Sequence, residues 1–240
     1  MRGGGGYRVT AAQRRTFWRS VLHAAWQHCV VVPLLWYFVG WPVAAWLDPS
    51  GNPAGRRAPS DPWVWARNLA VAVLCEDCLF YWAHRWLHAD AARYRRWHKV
   101  HHEFHTPSSL AAEYAHPVES LLANFVPFLA GPLLTGAHMH EICLWFVVRM
   151  TKTAEAHSGY AFPLAPFSLF PSFMTTAAHH DFHHSQNRGC YGSFFRFWDV
   201  ACGTVGDVAA FEAKRRRGAA EAVARDIDDG TGGLAAARNS

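Results

Sequence analysis

The chain has 240 residues, enough for one compact domain, and combines a hydrophobic fraction of 51% with a formal net charge of +5. Its mean hydropathy is only -0.06 because apolar blocks alternate with basic and polar stretches, as in a membrane protein with a large water-facing part. The six cysteines show no framework-like spacing, which argues against a disulfide scaffold. The basic clusters at residues 2–19, 85–99 and 215–217 fit the cytoplasmic flanks of membrane helices better than a nucleic-acid-binding surface.

The first half of the chain predicts two long helices. Residues 1–15 form a basic segment without the pattern of a removable signal peptide. Residues 16–47 are almost continuously apolar and long enough to cross a bilayer. Residues 48–62 are rich in Pro, Gly and Ser and predict a loop. A second apolar helix is expected over residues 63–82, with a basic helical continuation into water over residues 83–105.

The second half of the chain predicts a helical hairpin followed by a histidine-rich base. The apolar residues 118–134 and 142–150 are separated by a short link, which favours two helices that enter the membrane and return. Another helix is expected from about Thr175. The polar tail, residues 207–240, is expected to be disordered at least over its last part.

The charge distribution sets the predicted orientation. With the N-terminal arginines in the cytosol, two crossings return the chain to the cytosol at His84, and the hairpin leaves His157 there as well. All three histidine clusters then lie on one side. The sequence therefore predicts an all-α fold with one domain, residues 16–206, about four membrane segments and a cytosolic helical cap.

Three histidine boxes carry the strongest chemical signal. They read HxxxH at residues 84–88 and HxxHH at residues 98–102 and 180–184. On a helix, positions three and four residues apart are separated by about 300° and 400°, so the imidazoles of each box share a face. A lone histidine is more often a surface residue or a hydrogen-bonded core residue. Eight at this spacing predict a metal site, with all eight rings pointing into one space.

The number of nitrogen donors indicates two metal ions. Imidazole suits iron, zinc, copper and nickel, and eight rings exceed what one four-coordinate zinc can use. His157 directly follows the hairpin and is a ninth candidate. The predicted ligands are His84, His88, His98, His101, His102, His157, His180, His183 and His184. Beyond these ligands, the sequence identifies no catalytic side chain.

Metal-bound imidazoles usually donate their second N–H group to an outer partner. Asp77 lies seven residues before His84, close to two helical turns, and so shares the ligand face. His105 and His179 neighbour the second and third boxes and are further candidates for this outer role. The other carboxylates considered are Glu113, Glu119, Glu155, Asp181 and Asp199.

Absent motifs narrow the chemistry. There is no HExxH motif, which disfavours a zinc peptidase. There is also no GxGxxG motif after a strand, so the chain is not expected to hold nicotinamide or flavin in a Rossmann unit. If the chain reduces O2, the electrons must therefore come from a partner. Cys75 and Cys78 form a lone CxxC within an apolar run, for which buried packing is the preferred interpretation.

Blocks around the histidine boxes carry a family resemblance. They read FYWAHR at 80–85, HKVHHE at 98–103, EYAHPVE at 113–119, GPLLTGAH at 131–138 and EAHSGY at 155–160. With these blocks the chain resembles the fatty acid hydroxylase superfamily of membrane diiron enzymes over about residues 21–204. Within it, the EYAHPVE and GPLLTGAH blocks are most similar to those of the sterol C4-methyl oxidases.

The resemblance implies two iron ions at the nine histidines, with zinc as a substitute, and O2 as co-substrate. It implies oxidation of the C4 methyl group of a sterol precursor, with electrons from cytochrome b5 and its NAD(P)H-dependent reductase. The implied location is the endoplasmic reticulum membrane with the metal site facing the cytosol, or the inner membrane of a bacterium. No nucleic-acid partner is expected.

Two alternatives remain open from the sequence. The first is another hydroxylase or desaturase of the same superfamily, acting on a fatty acyl chain or a sterol side chain. The second is a metal-binding or metal-transporting membrane protein. Transport would distribute ligands across the bilayer, whereas the histidine boxes cluster where the predicted helices leave it.

Overall fold

The structure is a computed structural model that describes residues 11–47, 61–104, 111–160, 162 and 165–228. Over these residues the chain is helical, with one isolated bridge between Met174 and Phe195, and the predicted all-α class is confirmed. In chain order the helices are α1 (residues 11–47), α2 (Pro62–His88), α3 (residues 91–98), α4 (Pro117–Thr135), α5 (Met139–Ala156), α6 (Ala177–Gln186), α7 (Phe197–Ala201) and α8 (Val208–Asp228). Short 3-10 turns cover His101–Glu103 and Ala111–Glu113.

Capping residues explain where the second helix begins and why it ends early. The Asp61 carboxylate accepts a hydrogen bond from the Trp63 backbone N–H at 2.8 Å, and Pro62 occupies the first helical position. α2 ends at His88, and Asp90 caps the N-terminus of the separate helix α3. The expected continuous helix over residues 83–105 is therefore wrong, because the cap at Asp90 restarts the chain in a new direction.

The predicted hairpin is present, and its second helix is longer than expected. α4 ends at Gly136, which adopts the left-handed conformation with φ 58°. α5 begins with a reciprocal cap in which the His138 backbone N–H donates to Glu141. α4 packs closely on α2, and a Cβ atom at Gly131 would lie 2.3 Å from the Cα atom of Ala72. A small residue is required at this crossing, as is common between membrane helices.

Among the residues that the structure describes, two helical segments are long and apolar enough to span a membrane, Arg14–Val43 and Pro117–Thr135. Only 6% of the most apolar part of the first segment is buried, and apolar side chains such as Trp18 and Leu22 are exposed on it. Such a surface is suited to lipid rather than water. α2 and α5 do not qualify as candidate spans, and the four-segment topology stays a prediction.

The hydrophobic core joins the hairpin to the histidine-bearing base. Trp145 of α5 packs on Ala72 of α2 and on Phe194, and its indole N–H donates to the Phe128 carbonyl at 3.0 Å. Cys75 and Cys78 are half-buried free thiols.

The first part of the tail is helical, and the helix extends into the start of the segment for which disorder is expected. Residues 208–228 form helix α8, on which Arg215 pairs with Asp181 of α6. The remaining part of the tail, residues 229–240, lies outside the described residues.

Candidate metal centre

The structure brings the nine predicted histidines together in two adjacent groups. Within each group, one potential ligand atom per residue lies within 4.8 Å of all the others. The first group contains His84, His88, His98, His102 and His183. The second group contains His101, His157, His180 and His184. The expectation of a single common space is therefore replaced by two spaces.

The division into groups follows the spacing within each histidine box. Residues four apart stay together, as His98 and His102 do in the first group and His180 and His184 do in the second. In each HxxHH box, the histidine three positions after the first one belongs to the other group. His101 therefore lies in the second group with His180 and His184, and His183 lies in the first group with His98 and His102. The second and third boxes thus exchange one ligand each.

His157 completes the four-histidine group from the end of the hairpin. It is the C-terminal cap of α5, and its Nδ1 atom donates to the Thr153 carbonyl at 2.9 Å. Its Nε2 atom lies 2.8 Å from Nε2 of His180. The hairpin therefore positions one imidazole directly against the third histidine box.

Backbone carbonyls fix the orientation of three other rings. The Nδ1 atoms of His84, His183 and His184 contact the carbonyl oxygens of Tyr191, Gly189 and Phe104 at 3.1, 2.8 and 3.0 Å, respectively. A carbonyl can only accept, so in each neutral ring Nδ1 carries the proton and Nε2 carries a lone pair. This arrangement is the usual outer support of a metal-bound histidine.

Glu119 is the carboxylate that approaches a candidate ligand. Its Oε2 atom lies 3.0 Å from Nδ1 of His98, and both side chains are buried. Glu119 sits in the first turn of α4, so the same helix that enters the apolar part of the fold also supports the first group of histidines.

The Nε2 lone pairs face one another, an arrangement that a bound cation would stabilise. The Nε2 atoms of His157 and His184 lie 2.8 and 3.0 Å from Nε2 of His180, which can donate to only one of them. In the first group, Nε2 of His102 lies 3.1 Å from His98 and 3.2 Å from His183. Metal–nitrogen bonds of about 2.1 Å at right angles would separate two nitrogens by about 3.0 Å, whereas a tetrahedral pair would be about 3.4 Å apart. The observed spacing lies in the range expected for nitrogens that share one metal ion.

Burial favours the neutral form of histidine, which is the form that binds a metal. Burial lowers the pKa of both His98 and His157 to about 3. Burial, followed by the neighbouring His98 and His88, also lowers the pKa of His84 well below its ordinary value. An uncharged all-nitrogen donor set suits iron, zinc, copper or nickel and not magnesium or calcium.

Asp77 does not contact His84. It binds the backbone of residues 194–195, close in sequence to Tyr191, whose carbonyl contacts His84. Seven helical residues span about 10 Å, too far for a direct contact. The Asp77 carboxylate instead accepts from the backbone N–H groups of Phe194 and Phe195 at 2.7 and 2.9 Å. Asp199 accepts from Tyr191 N–H at 2.9 Å, on the residue whose carbonyl meets His84.

The other predicted outer residues have different positions. His179 contacts the Thr176 hydroxyl at 2.8 Å and caps α6, and His105 lies outside the described residues. Among the remaining carboxylates, Glu155 accepts from Ser168 and Glu113 pairs with His28.

Sequence reasoning missed a buried ion network beside the histidines. Arg149 Nε lies 2.7 Å from Oε1 of Glu76, and Lys152 Nζ donates to the Thr175 carbonyl at 2.5 Å. The signal was available in the sequence, because two cations interrupt the apolar face of α5 at these positions.

Two cavities with shared wall residues lie on the side of the histidines that faces α4 and α5. A cavity of about 60 Å³ is lined by five of the nine candidate ligands, among them His101 and His157. A larger cavity of about 580 Å³ lies between α1, α4 and α5 and has mostly apolar walls. Both are lined by Asn124, Arg149 and Thr153, so these side chains form the boundary between the apolar space and the metal centre.

The chain is similar to a known family and to several characterised proteins. The fatty acid hydroxylase family model matches residues 69–204. "Very-long-chain aldehyde decarbonylase GL1-8" of Oryza sativa subsp. indica is 44% identical over 59% of this chain and 54% of its own length. "Methylsterol monooxygenase 1" of Rattus norvegicus is 40% identical over 68% of this chain and 54% of its own length. "Methylsterol monooxygenase 2-1" of Arabidopsis thaliana is 37% identical over 73% of this chain and 67% of its own length.

The chain belongs to the fatty acid hydroxylase family, a family of metal-dependent oxidoreductases. It spans about half the length of the rice and rat relatives that it matches. No solved structure matches it with significance.

Proposed function

We propose that each group of histidines holds one iron ion and that the protein uses O2 to oxidise a C–H bond of a membrane lipid, the C4 methyl group of a sterol precursor. The observation that carries this proposal is the pair of histidine groups with facing Nε2 atoms. Both groups line the small cavity, whose wall residues Asn124, Arg149 and Thr153 also line an apolar cavity of about 580 Å³. Iron is chosen over the other metals that suit imidazole because of the family to which the chain belongs.

The chain supplies position, orientation and exclusion of water. Two iron ions bound there would supply the binding and reduction of O2 and the oxidation of the lipid. The carbonyls of Tyr191, Gly189 and Phe104 hold the imidazoles in one tautomer, with Nε2 directed inwards. The apolar walls between α1, α4 and α5 accommodate the lipid body and keep water away from the reacting carbon.

Electrons would come from a separate protein. We infer a donor such as cytochrome b5 with its NAD(P)H-dependent reductase, reached from the cytosolic side of the endoplasmic reticulum membrane, or the corresponding face of a bacterial inner membrane. The basic residues near the histidine boxes, such as Arg95, Arg96 and Lys99, support a docking surface for an acidic donor.

A second candidate activity is the conversion of a long-chain aldehyde. It is favoured by the rice relatives, whose identity to this chain is comparable with that of the methylsterol monooxygenases. Both candidates use the same metal centre and differ in the group that the lipid presents to it.

The two candidates are distinguished by a reconstitution in nanodiscs. Iron-loaded protein with a chemical or enzymatic reductant is supplied with a 4-methyl sterol or a C30 aldehyde under ¹⁸O2, and the products are identified by mass spectrometry. We expect ¹⁸O in the C4 substituent of the sterol, with no product from zinc-loaded protein. Alkane formation from the aldehyde, with no oxidation of the sterol, would favour the second activity. Sterol oxidation in the absence of O2 or iron would contradict the first activity.

A further inference from the structure

The outer side of α2 stays apolar as far as the level of the histidine boxes. Leu79, Trp82 and Trp86 lie three and four residues apart on one helical face, and they are 39%, 47% and 41% exposed. His84 and His88 lie on the opposite face and belong to the first group of histidines. The helix therefore presents candidate ligands to the inside and large apolar side chains to the outside.

The polar residues that lower the hydropathy of α2 do not interrupt this outer side. α2 is not among the candidate membrane spans, yet its residues Asn68, Glu76 and Asp77 are all buried. Between residues 74 and 86, all of the exposed side chains of α2 belong to leucine or tryptophan. The outer side of this stretch is therefore suited to contact with lipid.

Two arginines lie against the rings of this outer side. The guanidinium carbon of Arg85 lies 5.6 Å from the ring centre of Trp82, and that of Arg93 lies 4.5 Å from the ring centre of Trp86. Trp86 also stacks on Trp97 of α3, with 5.7 Å between the ring centres. Such contacts keep positive charge beside an aromatic ring. We call these five residues the Trp–Arg surface.

Further exposed apolar side chains continue the Trp–Arg surface. The ring centre of Trp198 in α7 lies 6.0 Å from that of Trp82, and the nearby Phe197 and Val200 are 59% and 63% exposed. An exposed apolar patch of this kind indicates a contact with a protein or a membrane. Tryptophan beside arginine is typical of the boundary between a bilayer and water, where indole rings lie at the headgroup level and basic side chains attract anionic lipid.

The positive charge of α3 is divided between two sides of the helix. Arg93 and Trp97 are four residues apart and share a face, whereas Arg95 lies two positions from each of them and so on the opposite side. Arg95 and Lys99 are exposed. Asp90 lies 3.9 Å from Arg93, but its carboxylate also accepts hydrogen bonds from two backbone N–H groups at the start of α3. With two arginines against one shared carboxylate, the Trp–Arg surface keeps a net positive charge.

We propose that the Trp–Arg surface lies in the headgroup layer of the membrane and binds an anionic phospholipid. Arg85 and Arg93 bind the phosphate, and the indole rings lie beside the upper part of the acyl chains. The inference goes beyond the proposed function, because this lipid is not the substrate and contacts α2 on the side opposite the histidines. Its binding holds His84 and His88 at the surface of the bilayer.

Competition between two lipids tests this binding. The full chain is purified into mild detergent micelles that contain equal amounts of phosphatidylglycerol and phosphatidylcholine, and the bound lipids are counted by native mass spectrometry. We expect the wild-type chain to prefer phosphatidylglycerol by about tenfold or more, because each basic residue at an anionic lipid surface contributes about fivefold. The double variant Arg85→Gln with Arg93→Gln should reduce this preference to about twofold or less.

A matched variant removes the same charge from the other side of α3. Arg95→Gln with Lys99→Gln should keep the wild-type preference. Arg85 also donates to the Tyr81 hydroxyl at 3.2 Å, so Arg93→Gln alone is measured as well and should lower the preference by about fivefold without the loss of that bond. The proposal is overturned if the wild-type chain shows no preference, or if the two double variants lose it equally.

An acidic protein is the other partner that this charge would attract. The soluble domain of cytochrome b5 is therefore titrated onto the same variants. If Arg85→Gln with Arg93→Gln weakens the binding of cytochrome b5 but leaves the lipid preference unchanged, the surface is a docking site for the donor and the proposal is overturned. Because the readout is lipid binding, an absence of lipid oxidation would contradict the proposed function and leave this inference intact.

Discussion

The Nε2 atoms of His157 and His180 lie 2.8 Å apart, although the first residue ends the hairpin and the second belongs to α6. The proton of His157 is engaged at Nδ1 by the Thr153 carbonyl, so its Nε2 lone pair faces His180. The Nε2 lone pair of His184 faces the same ring at 3.0 Å. A shared cation accounts for this convergence, because one proton on His180 can satisfy only one neighbour.

The contribution of His157 can be tested against a neighbouring histidine that is not in either group. His157→Ala should lower the iron content by about one ion per chain, because it removes one of four donors from the second group. His179→Ala should keep both ions and lose about 1 kcal/mol of stability, because its ring caps α6. Metal analysis by mass spectrometry provides the comparison, and equal iron contents in the two variants would contradict the assignment.

The exchange of ligands between boxes predicts different effects for adjacent histidines. His101→Ala should disturb the second iron and His102→Ala the first, although the two residues are consecutive. Mössbauer spectra of ⁵⁷Fe-loaded protein resolve the two environments when their ligand numbers differ. Each variant should weaken a different spectral component, and the loss of the same component in both would argue for one common space.

Asp77 is predicted to act through the backbone of the segment that supports His84. Asp77→Ala leaves two buried N–H groups without an acceptor and should cost about 2–4 kcal/mol in the free energy of unfolding. Asp77→Asn keeps an acceptor oxygen and should cost about 1 kcal/mol. Denaturation of the purified protein in mild detergent measures both values. Equal losses would show that the charge of Asp77, and not its acceptor geometry, stabilises the fold.

Two glycines in α4 and its cap provide a test of the close helix crossing. A Cβ atom at Gly131 would lie 2.3 Å from the Cα atom of Ala72, so Gly131→Ala must separate α2 from α4 and should cost about 3 kcal/mol. In Gly136→Ala the new Cβ atom meets no atom within 4 Å. The substitution should lower the free energy of unfolding by only about 1 kcal/mol, the strain of alanine in a left-handed conformation. Thermal unfolding should rank the variants in this order, and the reverse order would place the tight contact elsewhere.

Much of the site could be predicted from side-chain spacing. The nine histidines and the hairpin were recognisable because helical periodicity is encoded in residue identity. The partners of the imidazoles were mostly not recognisable, because backbone carbonyls such as those of Gly189 and Tyr191 leave no signature in the sequence. Asp77 was correctly placed on an inward face, but helical rise separates it from His84 along the axis.

Tertiary context decided the rest of the fold. The polar stretch after α2 has helical composition, yet the cap at Asp90 divides it, and this division lets the second box face the third. Composition predicts disorder over about the last 20 residues, but helix α8 extends to Asp228, and Arg215 on it pairs with Asp181. Such long-range pairing is not visible in a local window of sequence.

If the two groups of histidines hold one iron ion each, the metal stoichiometry of the protein is two ions per chain. Full-length protein purified in mild detergent, stripped with a chelator and reloaded anaerobically with ferrous iron should bind two ions per chain. Reloading should raise the unfolding temperature by about 5–10 °C, because an ion that binds only the folded state stabilises it. A stoichiometry of one ion or none, with an unchanged unfolding temperature, would contradict the assignment of one iron ion to each group of histidines.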